Sequence, residues 1–143
     1  MTVINRDAII AYSPVQMFNL VNAIEDYPQF VPACKSTQVI SRTEDEIRAT
    51  LEFAQGGFHK SFSTCNRLQG NKLIEIRLID GPFKQLEGFW RFEEIPEGCR
   101  ISLDLEFEFN NKLLSMMFSP VFHPVADKLV DVFCQRAHAL YGG

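Results

Sequence analysis

The sequence is poor in the residues that most often carry chemistry or cross-links. Its four cysteines, Cys34, Cys65, Cys99 and Cys134, lie more than thirty residues apart and form no C-x-x-C pair. That spacing argues against both a zinc ribbon and a disulfide scaffold. The histidines, His59, His123 and His138, are dispersed. Cys134 and His138 stand four apart on one helix face, half of a metal site without a second half, so no metal centre is expected. G-x-S-x-G, a glycine-rich phosphate loop and H-E-x-x-H are all missing, so no catalytic residue is assigned and the chain does not read as an enzyme. No apolar run approaches the roughly 18 residues of a membrane span. No presequence is read ahead of the alternation that begins at Thr2, which sets the expectation of a cytosolic protein.

A basic surplus is missing too. The formal net charge is −4, whereas non-specific nucleic-acid binding needs a basic face, so DNA is not an expected partner. Arg42, Arg48, Lys60, Arg67 and Arg77 fall within one stretch of strands, which leaves a local basic patch open beside the preferred reading, cations scattered on a solvated sheet face.

What is abundant is phenylalanine: thirteen, against one tryptophan and three tyrosines. Phe brings area and shape without a polar atom, which favours an apolar interior. At 143 residues the chain has the size of one domain, spanning 1–143.

The periodicities set the element order. A first strand is expected over about Thr2–Tyr12. Ser13-Pro14-Val15-Gln16 then reads as a capping box with proline at the first helical position. Met17, Leu20, Val21 and Ile24 form the apolar stripe of a short helix that breaks at Tyr27-Pro28. Consecutive hairpins follow, with Gly56-Gly57 and Gly70-Asn71 supplying turn residues of positive φ. The cleanest strand sets Ile101, Leu103, Leu105, Phe107 and Phe109 against Arg100, Ser102, Asp104, Glu106 and Glu108, one face to the core and one to water. From about Asn111 to Tyr141 the spacing is helical, kinked or broken at Pro120 and Pro124. Hairpins followed by a segregated long helix define an α+β class. The expected architecture is a helix grip, a curved antiparallel sheet of about seven strands wrapped on the C-terminal helix.

Two segments depart from simple core patterning. Phe58, Lys60, Phe62, Thr64, Asn66 and Leu68 share a parity, so polar groups fall where the apolar face should be. Such groups are costly in a core unless partnered. Either Lys60, Thr64 and Asn66 face a cavity and meet the head of a ligand, or a bulge resets the parity. Leu113–Phe122 is apolar nearly all round and must be buried or face something greasy.

Four stretches in order resemble the coenzyme-Q-binding START-domain family, also called polyketide-cyclase-like, and in particular its bacterial, ribosome-associating branch. They are Tyr27-Pro28-x-Phe30-Val31-Pro32-x-Cys34; Asp80-Gly81-Pro82-Phe83 with Leu86-x-Gly88-x-Trp90-x-Phe92; Phe107-x-Phe109-x-Asn111-Lys112-Leu113; and Phe133-x-x-Arg136-Ala137 ending at Tyr141. Ala33 stands where members often carry Trp, which removes a bulky aromatic beside the implied pocket mouth. The resemblance implies a START-like fold that binds a ubiquinone-like isoprenoid quinone in an apolar tunnel and supports respiratory electron transport. It implies no other cofactor. For the bacterial branch it also implies a toxin-like activity, binding the large ribosomal subunit and blocking its association with the small one. A START-like cyclase or hydrolase is the third reading, and it lacks an acid–base pair in the expected pocket. Mitochondrial relatives carry presequences and none is read here, so the resemblance implies a bacterial cytoplasm, and transient membrane contact, peripheral to the inner membrane, accompanies the quinone reading.

The expected lining joins Phe30, Phe53, Phe62, Ile76, Phe83, Trp90, Phe92, Leu105, Phe107 and Phe109 to Met117, Val121, Phe122, Leu129 and Phe133. Lys60, Thr64 and Asn66 are the candidates at its polar end, and Pro82 and Pro120 would shape its openings.

Overall fold

A computed structural model describes residues 1–142. Strand β1 (Thr2–Ile10), helix α1 (Pro14–Asn22) and a 3₁₀ turn (Ile24–Gln29) open the chain. Strands β2 (Cys34–Arg42), β3 (Glu46–Gln55), β4 (Phe58–Gln69), β5 (Leu73–Asp80), β6 (Phe83–Ile95) and β7 (Gly98–Phe109) follow, and helix α2 (Lys112–Tyr141) closes it.

The capping box forms as the sequence indicates. The Ser13 hydroxyl accepts from the Gln16 amide at 3.1 Å, and the Gln16 side chain accepts from the Ser13 amide at 2.9 Å. Helix α1 ends at Asn22, earlier than the expected break at Tyr27-Pro28. The next residues tighten into 3₁₀ geometry, which holds Pro28 inside it and keeps Ile24 and Tyr27 buried.

The sheet has seven strands in the order β1-β7-β6-β5-β4-β3-β2, every neighbouring pair antiparallel. Helix α2 touches β1 and β7 towards one edge of this order and β3 and β4 towards the other. A straight helix meets both only if the sheet curls around it, so the fold is a START-like helix grip. Extra residues aid the curl by interrupting the ladders: Ile40 in β2, Ile79 in β5 and Lys84 in β6. At the β3–β4 turn Gly56 and Gly57 have φ of 60° and 84°. In the next turn Asn71, not Gly70, takes the left-handed conformation, at φ 62°. Gly88 marks a close approach instead: a Cβ there would lie 2.3 Å from the Asp104 carbonyl oxygen.

Alternation in β7 is strict. Ile101, Leu103, Leu105 and Phe107 are buried, while Ser102, Asp104 and Glu106 are half-exposed on the other face. Above them α2 buries Phe118, Val121, Phe122, Val125, Ala126, Val130, Phe133 and Ala137. Helix α2 runs unbroken through Pro120 and Pro124, so of the kink or break expected there the break does not occur. Each proline removes one backbone donor, and burial of the flanking side chains holds the helix together across both gaps. The Asn111 side chain caps it, accepting from the Leu114 amide at 2.8 Å.

Candidate functional site

Between α2 and the concave face of the sheet lies a cavity of about 100 Å³. Its floor is Leu51 and Phe53 of β3, Phe62, Thr64 and Asn66 of β4, Ile76 of β5, Leu86 and Trp90 of β6, and Leu105 of β7. Its roof is Phe122, Val125, Ala126 and Leu129 of α2, and Ile24, Tyr27 and Val31 close one side. Ordinary ligand pockets span roughly 300–1,000 Å³, so the expected tunnel is closed here to a space about the size of a small ring. A molecule with a long tail enters only if α2 and the sheet part.

Two aromatic clusters seal the cavity. Towards the start of α2, Phe122 meets Phe107 and Phe83 with ring centroids 4.9 Å and 5.0 Å away, and Phe109, Phe118 and Phe62 complete the cluster. Towards its end, Phe133 meets Trp90, Tyr27 and Phe30 at 5.3, 5.4 and 5.4 Å. The Arg136 guanidinium lies over the Phe30 ring at 4.8 Å.

The polar end lies on β4. Thr64 is buried on the cavity wall, and the Asn66 side-chain oxygen is buried there without a hydrogen-bond partner among the described residues. The sequence left two explanations for this strand's parity, a ligand-facing polar set or a bulge. The register does shift between Ser63 and Thr64, but the surplus residue, Ile79, belongs to β5. Strand β4 therefore keeps its parity, and Thr64 and Asn66 stay on the cavity side. Opposite them the Tyr27 hydroxyl donates to the Val21 carbonyl oxygen. Burial, with smaller effects from Cys34 and Glu25, raises the Tyr27 pKa, so the phenol stays protonated. Among the described residues no carboxylate, imidazole or ammonium group lines the cavity. Its chemistry is that of a hydrocarbon slot with an amide and a hydroxyl at one end.

Of the residues expected in the lining, Phe53, Phe62, Thr64, Asn66, Ile76, Trp90, Leu105, Phe122 and Leu129 are brought together there. Phe83, Phe107 and Phe109 lie in the first aromatic cluster and Phe30 and Phe133 in the second, behind the lining rather than in it. Phe92 packs on Phe18 and Trp90, and Pro82 is buried at the start of β6. Lys60 does not reach the cavity. It sits half-buried between Phe58 and Phe62, nearer the Gly56–Gly57 turn than the lining residues of β4. Met117 is 48% exposed, since the face of α2 opposite Phe118 points away from the sheet. Val121 and Pro120 border a separate outer groove of about 700 Å³ with Ala33, Ala54 and Pro124. Sequence reasoning missed Ile24, Tyr27, Val31, Leu51, Leu86, Val125 and Ala126. The parity that flagged Trp90 also covers Leu86, and the helical spacing through Leu129 covers Val125.

The four thiols are free, and Cys34 and Cys99 are buried. Among the described residues no group of three or more His, Cys, Asp or Glu could hold a metal ion. His138 Nδ1 lies 3.1 Å from the Tyr12 hydroxyl.

A family model described as polyketide cyclase / dehydrase and lipid transport matches residues 10–134, and the chain belongs to that family. It is 40% identical over 139 residues to the ribosome association toxin RatA of Escherichia coli, covering 96% of this chain and 88% of that one. It is 26% identical over 138 residues to a mitochondrial coenzyme Q-binding protein of Dictyostelium discoideum, covering 93% and 67%. A START superfamily protein of Mycobacterium smegmatis shares the fold with a TM-score of 0.78 at 19% identity, covering 96% of this chain and 98% of that one.

Proposed function

We propose that this chain carries an isoprenoid quinone, holding the ring between β4 and α2 and the tail along the seam between helix and sheet. The observation that carries the reading is the unpartnered Asn66 oxygen on an otherwise apolar wall. A buried polar atom left unpaired costs about 1–3 kcal/mol, a cost removed when a ligand group meets it. The Asn66 amide and Thr64 hydroxyl offer both acceptor and donor, which suits a ring that alternates between carbonyl and hydroxyl forms. An isoprenoid tail gains about 0.8 kcal/mol per buried CH₂, so an apolar seam is enough for affinity. With no acid or base in the lining, the protein acts as a chaperone for respiratory electron transport rather than as a cyclase or hydrolase. The role suits a bacterial cytoplasm beside the inner membrane, in keeping with the bacterial relative.

Trp90 is the one tryptophan of the chain and lines the cavity, so its fluorescence reports occupancy directly. Protein purified without detergent is expected to release a quinone on solvent extraction, and quinone added in micelles should quench Trp90. Protein that arrives empty and leaves Trp90 unquenched overturns the reading.

A second reading is favoured by the 40% identity to a protein named for ribosome association. It assigns this chain an exposed surface for the large ribosomal subunit. On the convex face Arg48, Arg77 and Arg91 are committed to Glu46, Glu75 and Asp104 at 2.7, 3.0 and 2.7 Å, which leaves little free positive charge for RNA there. Sedimentation of ribosomal subunits with the purified protein tests it: joined particles that stay joined at excess protein exclude it.

A further inference from the structure

We infer that the exposed start of α2 docks on an anionic membrane surface, the source from which the proposed quinone is taken. This rests on the carrier reading above. Leu113, Met116 and Met117 are 64%, 74% and 48% exposed. They stand at i, i+3 and i+4, which puts them on one face of the helix, while Phe118 on the other face is fully buried. The segment is ordered despite its apolar exterior, because Asn111 caps it through the Leu114 amide.

Charge is complementary to such a surface. Strands β4 and β6 begin, and β5 and β7 end, at this end of the sheet. Lys84 and Lys112 therefore stand at this end beside Glu108, in a chain whose net charge is −4. Lys84 is the surplus residue of β6 and lines one groove with Lys112, Ser115 and Ser119, its ammonium 3.8 Å from Glu108. A short apolar helix face bordered by lysines lies in the headgroup plane without crossing, and no described helix is long and apolar enough to span a membrane. Directly beneath this face Phe118 contacts Phe58 and Phe122, at 5.9 and 5.6 Å between rings. Phe122 also lines the cavity, so a docked molecule passes its ligand from lipid to cavity behind a wall of phenylalanine.

Flotation with vesicles of equimolar phosphatidylcholine and phosphatidylglycerol is the test, with phosphatidylcholine vesicles alone as the reference. The protein should float with the anionic vesicles, less so as salt rises. Met116→Ser with Met117→Ser should lower partition at least about tenfold, and Lys84→Gln or Lys112→Gln about fivefold each. All these positions are exposed, so melting should match the parent, and micellar quinone should still quench Trp90 in every variant. Parent protein that floats no better than the double methionine variant overturns the inference. So does a methionine variant that keeps vesicle binding but loses purified large ribosomal subunits, since the face would then serve a ribonucleoprotein. Flotation that persists while Trp90 senses no quinone supports docking and overturns the carrier reading alone.

Discussion

Phe122 of α2 meets Phe107 of β7 edge to face, with ring centroids 4.9 Å apart and planes at 83°. The pair pins the helix to the sheet at the point where the cavity ends. Phe122→Ala is expected to cost about 3–5 kcal/mol in stability, read by chemical denaturation. The same change should speed quinone exchange as followed by Trp90 fluorescence, because it opens the seal as well as the core.

Asn66→Leu separates binding from folding. The substitution keeps the branched shape, puts its extra bulk into the adjoining cavity and removes the orphaned oxygen, so the empty protein should gain about 1 kcal/mol. Quinone affinity should fall about tenfold in a micelle titration. A loss of stability would mean that the amide is already satisfied and is not waiting for a ligand.

Gly88→Ala should destabilise by about 1–3 kcal/mol, seen as a lower denaturation midpoint. The added Cβ would meet backbone, the Asp104 carbonyl at 2.3 Å, which cannot swing aside as a side chain would.

Alkaline pH should weaken the fold. Burial pushes the Cys34 and Cys99 thiols up to about 11 from an ordinary 9.0 and raises Tyr27 above its ordinary 10.0. The unfolded chain therefore loses these protons first, and the folded state binds more protons across the window. Stability is full below pH 9.0 and falls as pH rises from there towards about 11, with Tyr27 extending the decline. Denaturation at pH values stepped through that window should show it, and Cys99→Ala should flatten the profile.

Much of this was legible in residue order. The Ser13–Gln16 box, the strict alternation of β7 and the glycine pair of the β3–β4 turn are local rules, each readable within a few residues. So is the parity of Thr64 and Asn66. What was not legible depends on which part of an element lies under the helix. Lys60 and Thr64 share a face of β4, yet only Thr64 lies on the cavity wall. Likewise Met117 and Phe118 are neighbours in an equally apolar stretch, and only the direction of the sheet decides which is buried. Tyr27 enters the site because a 3₁₀ turn folds back over the cavity, a tertiary placement that no periodicity encodes. The size of the cavity was hidden for the same reason: apolar side chains at matching parity can enclose a space or fill it.

The two prolines of α2 have a consequence for kinetics. Pro120 and Pro124 leave the Met116 and Pro120 carbonyls without their helical donors, and both prolines border the outer groove. Ahead of them, between Lys112 and Ser119, Phe118 is the only buried side chain. Peeling back these first turns thus means withdrawing one phenyl ring, with no rung of the ladder to break at either proline. Such a local opening has its own free energy, well below that of global unfolding. The rate at which a guest is admitted or released is therefore tied to this local opening, through Phe118 and the neighbouring Phe122, rather than to unfolding of the whole chain.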